Sequence, residues 1–591
     1  MTTTSGPEEG TGASSSANPP PNQADRKIAT DPLPHPRGEP RHEATARGRA
    51  GAHGWTWNDA DPVLSLSRNE WIFLALTIIG WSLFVISLGK DTSWDFRNYH
   101  WYIPYALLND RLGIDVAAAH QASYYNPLLD VPFYLLATHT SSWFALGVLG
   151  AVQGANAIPL YIIARQSLRT PEPILGAALL TLLGMTGALT LSLLGTTYYD
   201  NVMSVFWLSS LAILVASRET LARGSLLRTA TLTAIAGLLA GSAMGLKLPE
   251  TPFAVGFAGA VLLLGGDWKH LSTRLIAGGI GGGLGFALFA GYWMMKMETL
   301  TGNPLFPYFN EYFKSPLALA EPYRDMRFLP HGFWDTVLLP YRFTLNWAIA
   351  DDLPFRDMRV GLAYATTLIA LVFTAIRLRA KDAFVAPSAT RVLFAFAGVA
   401  FAAWISMFAI YRYIVGLEML APILIAAGVG LLPIPFRPRL ITLGVLFLAM
   451  LVYARADYLE RVPLGDPYVQ ADIPPFPHPD KTLIVMTGNS PLGFLAPLIP
   501  HQIPILRIDG WMMQPQDGTL LTKRMRGEVR AYVKKKGDIY LLADHYDMAR
   551  AREAVGEYRL AIRWLECRVF ESNLTGLYQI CPLAPKPPNV K

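Results

Sequence analysis

Apolar stretches of membrane-spanning length, separated by polar joints, fill most of this chain. A bilayer core of roughly 30 Å takes about 20 apolar residues per helix. Eleven stretches approach that length: 71–89, 143–164, 173–194, 202–217, 230–246, 251–266, 275–296, 360–378, 391–411, 413–432 and 439–455. Two of them, 202–217 and 251–266, are short and fit as tilted or incomplete spans. The pattern predicts a polytopic α-helical membrane protein with about 11 transmembrane helices. It changes after residue 455. Short β-like runs at 482–486, 503–507 and 538–542 alternate with helical segments at 519–536 and 546–557, which predicts a C-terminal soluble α/β domain over 456–591.

Composition agrees with a membrane protein. The chain is 52% apolar and 16% charged over 591 residues, too apolar for a soluble protein of that size. Residues 1–70 are the exception, rich in Ser, Pro, Gly and charge, and read as a disordered cytoplasmic tail. No apolar run lies near Met1, so no cleavable signal peptide is expected.

Basic residues orient the spans. With the N-terminus in the cytoplasm, inside loops hold Arg165, Arg218, Arg274, Arg377 and Arg439 among others, whereas the tight outside turns hold only Lys247 and Arg412. The formal charge of +6 follows from this bias and does not argue for nucleic acid. Three segments then lie outside: the loops 90–142 and 297–359, and the piece 456–591. The two cysteines, Cys567 and Cys581, are both in the last. An oxidising compartment allows them to pair, worth about 3 kcal/mol for a loop of this size; two unpaired thiols are the alternative.

Polar residues crowd the outer side. Asp91 and Asp95 follow the first span directly, where carboxylates are costly to desolvate unless used. Arg97, Asn98, His100, Tyr125 and Asn126 follow in the same loop, and residues 99–109 can form an amphipathic helix at the interface. Asp200 sits in the second outer turn. Lys247 and Arg412 suit a lipid phosphate. Glu418 needs a partner, and Arg412 is the nearest in sequence. The tetrapeptide Arg-Asp-Met-Arg occurs at 324–327 and again at 356–359, so Arg324 and Arg327 are candidates for phosphate or sugar contacts. Each feature has a plainer explanation: an aromatic belt, a snorkelling Lys, or surface ion pairs of little worth. The glycines at 278–285 mimic a nucleotide fingerprint, but they lie in an apolar span and predict a close-packed helix face.

This arrangement resembles the GT-C superfamily of integral-membrane glycosyltransferases, of bacterial type. The residues that carry the resemblance are Asp91 and Asp95 after the first span, Tyr99-His100-Trp101-Tyr102, Asn126-Pro127-Leu128, Asp200, and 241–247 at the end of the fifth span; together they cover roughly 71–455. The oligosaccharyltransferase motif Trp-Trp-Asp-Tyr-Gly is missing, which argues against a peptide acceptor. The resemblance implies a polyprenyl-phosphate-linked sugar donor, a glycan or lipid acceptor, and inversion at the anomeric carbon. Asp95 would be the general base, with Asp91 and Asp200 as rival or supporting carboxylates. Lys247 and Arg412 would hold the donor phosphate. Arg97, Asn98, His100, Tyr125, Asn126, Arg324, Arg327 and Glu418 would bind substrate. No soluble nucleotide site is required; a divalent cation is the one cofactor left open, with Asp91 either binding it or orienting the loop. The protein would sit among the lipids of a bacterial inner (plasma) membrane with its C-terminal domain periplasmic. Two other classes compete: a polysaccharide polymerase or ligase, and a transporter or lipid flippase.

Overall fold

Ser67 accepts the Glu70 N–H at 3.4 Å while its own N–H donates to Glu70 Oε2 at 2.7 Å, a reciprocal cap that opens the helix Arg68–Leu88. The computed structural model describes residues 66–586 except 459 and 512; the tail expected at the N-terminus lies outside them up to residue 65.

Each of the eleven apolar stretches falls on helical structure. Among the described residues, seven segments are long and apolar enough to cross a membrane: Arg68–Leu88, Ser142–Ser167, Leu226–Leu246, Trp268–Thr301, Pro387–Met407, Tyr411–Gly430 and Phe436–Tyr453. Four more apolar helices are shorter: Pro173–Met185, Asp200–Ala216, Leu248–Leu263 and Arg359–Ala375.

The glycines at 278–285 serve packing. A Cβ on Gly237 would stand 2.3 Å from Gly278 O, and one on Gly241 would stand 2.0 Å from Gly282 O. Only backbone fits between these two helices, as at small-residue interfaces in membranes.

The joints between helices gather at two ends. One end carries basic residues, several of them tied to neighbouring helices. Arg165 pairs with Glu70 at 3.3 Å, Arg274 donates to Leu221 O and Gly265 O, and Arg439 pairs with Asp382 at 2.5 Å. The other end carries the long loops and the sheet domain.

The sheet runs Ile505–Arg507, Thr482–Met486, Asp538–Asp544, Leu577–Pro585, Leu560–Ile562, with Arg568–Glu571 also on Leu577–Pro585. The first three strands are parallel and the rest antiparallel. Helices Leu520–Lys534 and Met548–Glu557 match the two expected from sequence. Cys567 and Cys581 are disulfide-bonded.

Alternate side chains of Thr482–Met486 enter two cores. Ile484 and Met486 pack with Phe96 and Trp101 of the first loop, while Leu483 and Val485 pack with Trp293 and Met297 from the end of the long helix. A strand covered on both faces reads as an unbroken apolar run, which is why this one stood out in sequence. The first loop also extends the sheet: Val116 N–H donates to Ile505 O at 2.8 Å and Arg507 N–H to Val116 O at 3.0 Å. The amphipathic helix expected over 99–109 is Tyr102–Leu108. It is buried through Ala106 and does not lie open at the interface, because the sheet domain covers it.

Candidate active site

The first span delivers Asp95 through a short fixed path. Gly89 turns the chain at φ 88°, and a Cβ there would meet Val462 O at 2.2 Å. Lys90–Asp91 then pairs antiparallel with Arg461–Val462. The fully buried Asp91 carboxylate accepts from the Ser93 N–H at 2.8 Å, the Thr197 N–H at 2.9 Å and the Thr197 hydroxyl at 3.0 Å. These bonds lock the loop to the second outer turn. A wide helical turn, Phe96–His100, follows, with the Trp101 N–H donating to Phe96 O. Such over-wide turns recur at functional sites. Asp95 is its leading residue, and its side chain is 15% exposed.

Asp95 opens into a cavity of about 710 Å³ between the helix ends and the sheet domain. That volume holds a drug-sized ligand. Across it, Arg412 Nη1 lies 3.5 Å from Asp95 Oδ2. The Arg412 guanidinium packs over the Tyr198 ring at 4.7 Å and the Tyr413 ring at 5.4 Å. Its Nε is buried and has no hydrogen-bond partner among the described residues. Lys247 lines the same cavity, with Nζ 5.4 Å from the Tyr413 ring centre, so the two cations share one aromatic neighbour. Lys247 Nζ donates to Tyr198 O at 2.8 Å and pairs with Asp200.

Further titratable groups ring this centre. His100 Nδ1 stands 2.7 Å from Asp130 Oδ1, and burial raises the Asp130 carboxyl while His100 opposes the rise. Asp351 accepts the Arg412 N–H at 2.7 Å; burial pushes its carboxyl up to about 6, again against Arg412. Glu460 also lines the cavity. Desolvation, then the neighbouring Asp91, lifts it to about 7.

The structure brings together Asp95, Asn98, His100, Tyr125, Asn126, Lys247, Arg324, Arg327 and Arg412 as cavity-lining residues. Not all of them present free groups. Asn98 donates to Ala119 O, and its Oδ1 accepts from His120 Nδ1. Asn126 spends its amide on Gly245 O and Phe289 O and its oxygen on the Leu128 N–H. Arg327 is held by Asp325 and Asp352, and Arg324 donates to Met407 O.

Four expected site residues lie off the cavity lining. Asp91 is spent on the loop lock, and Asp200 is buried behind Lys247. Arg97 donates to Thr92 O and the Tyr578 hydroxyl. Glu418 is fully buried, and its partner is not Arg412. It accepts the Thr190 N–H at 2.9 Å and the Thr190 hydroxyl at 2.8 Å, beside the buried Asp357–Arg359 pair. The two copies of Arg-Asp-Met-Arg therefore do different work: 356–359 is locked into the helix core, and 324–327 lies at the cavity. Among the described residues no three His, Cys, Asp or Glu side chains converge on one point.

Sequence reasoning did not single out Asp351, Glu460, Tyr308, Tyr323 or Trp511. Their contribution is spatial, from segments far apart in the chain. Tyr308 stacks on Tyr125 at 5.3 Å and meets Tyr323 at 5.5 Å, and Tyr323 meets Trp511 at 5.8 Å. Aromatic residues spaced through a loop carried the only advance signal.

No protein-family model matches the chain, and no curated protein matches it. Among solved structures it is similar to the oligosaccharyltransferase of Archaeoglobus fulgidus in its apo form. The two are 12% identical, with a TM-score of 0.43, over 81% of this chain and 69% of that one. So loose a superposition leaves the functional reading to rest on the cavity itself.

Proposed function

We propose that the chain is an integral-membrane glycosyltransferase of GT-C type that moves a sugar from a polyprenyl-phosphate donor to an extracytoplasmic glycan or lipid acceptor. The observation that carries this reading is the Asp95–Arg412 pair: a carboxylate and an underused, partly desolvated guanidinium 3.5 Å apart in a cavity at one end of the apolar helices. A buried guanidinium donor without a partner is costly unless a ligand supplies an acceptor. An anionic phosphate fits that need, with bidentate geometry available to Arg and point-charge support from Lys247.

In the proposed reaction the acceptor hydroxyl attacks the anomeric carbon, and the bond from that carbon to the phosphate oxygen breaks. Asp95 takes the hydroxyl proton. Arg412 and Lys247 stabilise the charge that develops on the leaving phosphate. Attack from the face opposite the phosphate inverts the centre. Among the described spans most charged side chains sit within two turns of a helix end, Glu418 excepted, whereas a transporter concentrates them near the midplane.

The test is a deletion strain whose lipid-linked sugars are read by mass spectrometry. A polyprenyl-phosphate sugar should accumulate, and the wild-type gene, but not Asp95→Asn, should return it to baseline. An unchanged pool ends the proposal.

A further inference from the structure

The sheet domain meets the cavity through the ends of its parallel strands. Strand Thr482–Met486 is central, with Ile505–Arg507 on one side and Asp538–Asp544 on the other. The chain therefore leaves the central strand in one direction and crosses back to the other, and the carboxyl ends of such strands form the usual ligand crevice of an open α/β sheet. The segments after the first two strands supply Asn489 and Trp511 to the cavity wall.

This edge is rigidly held. The fully buried Arg507 donates through Nη2 to Gly488 O at 3.0 Å and Ser490 O at 2.5 Å. Trp94 Nε1 donates to Asn489 O at 3.0 Å. Gly510 and Met513 exchange backbone bonds at 2.9 and 3.2 Å around Trp511. A Cβ on Gly510 would stand 2.2 Å from the His120 ring, so the turn sits directly on the first loop. Trp511 is nevertheless 44% exposed while fixed edge-on to Tyr323. An ordered, half-exposed indole inside a cavity wall covers no core of its own.

We infer that Trp511 is the stacking platform of a saccharide subsite, through which the sheet domain receives the acceptor; this rests on the glycosyltransferase reading above. A pyranose ring offers a flat C–H face bordered by hydroxyls. The indole face matches the first. Asn489 and the Asp325–Arg327–Asp352 network, which line the same cavity, supply donors and acceptors for the second. Polar groups in the same cavity suit a sugar better than a polyprenyl tail, whose apolar surface would take their water away and offer no hydrogen bond in return.

The full chain in nanodiscs, titrated calorimetrically with maltose, chitobiose and mannobiose, tests this. At least one disaccharide should bind saturably. Trp511→Ala should weaken it tenfold or more, Trp511→Phe should stay within about threefold, and Trp564→Ala, an equally exposed indole off the cavity lining, should bind as wild type. Failure of all three sugars to bind, or wild-type binding by Trp511→Ala, overturns the subsite. So does a Trp511→Ala defect confined to farnesyl phosphate. If any of these occurs while wild-type protein still relieves the accumulated donor in an Asp95-dependent way, the transferase reading stands and only the subsite falls.

Discussion

Asp95 Oδ2 and Arg412 Nη1 face each other at 3.5 Å across the cavity, closer than screened surface charges but too far for a good hydrogen bond. The gap leaves both groups available to a ligand. Asp95→Asn should lower sugar transfer by about 10²–10⁴ with donor binding and folding retained, measured as turnover against donor affinity in the same preparation. Near-normal turnover removes Asp95 as the base.

Asp91 should behave differently. Its carboxylate holds three donors inside the protein, so Asp91→Asn turns one acceptor oxygen into a donor facing Thr197 or Ser93. The expected loss is in stability, about 1–3 kcal/mol, read as a lower melting temperature, with turnover per folded molecule little changed. A normal melting point with abolished turnover would return Asp91 to the catalytic set.

Arg412→Gln should raise the KM for the lipid-linked donor about tenfold to a hundredfold, the worth of one charge-assisted hydrogen bond. Lys247 needs a paired design, because Lys247→Met alone leaves Asp200 buried without its cation, a loss on the order of 3–5 kcal/mol. Lys247→Met with Asp200→Asn should recover folding while keeping the weaker donor binding. If the double variant binds donor normally, Lys247 is structural.

Stability should depend on pH through Asp351. Burial raises its carboxyl from 3.8 to about 6, so the folded protein holds that proton more tightly than the unfolded chain does. Its contribution is complete below pH ~4, declines as pH rises to ~6, and is level above. The decline is at most about 3 kcal/mol. Thermal melts between pH 4 and 7 should show this slope in wild type and a flatter one in Asp351→Asn. Parallel slopes refute the assignment.

Gly241→Val should cut the yield of folded protein, since even a Cβ there would lie 2.0 Å from Gly282 O. Overpacking typically costs 1–3 kcal/mol. Gly279→Val, where nothing lies within 4 Å, is the control and should express as wild type.

The sequence by itself determined the eleven apolar segments, the change to an α/β pattern after 455, the glycine seam and the loop that carries Asp95. These are local properties: span length, side-chain period and small residues at helical spacing are written along the chain. Only the tertiary structure decided which charged groups meet. Asp91 and Asp95 are four residues apart, yet one is locked to Thr197 and the other faces Arg412. Arg412 and Glu418 are near neighbours in sequence, yet Glu418 turns to Thr190 and Arg412 to the cavity. Adjacent positions on a wide turn or a helix start point in different directions, and the partner that satisfies each arrives from a distant segment. The same holds for Trp511, whose place in the cavity wall depends on the crossover of a parallel sheet and its docking on the first loop. Periodicity records burial, but it does not record which distant surface does the burying.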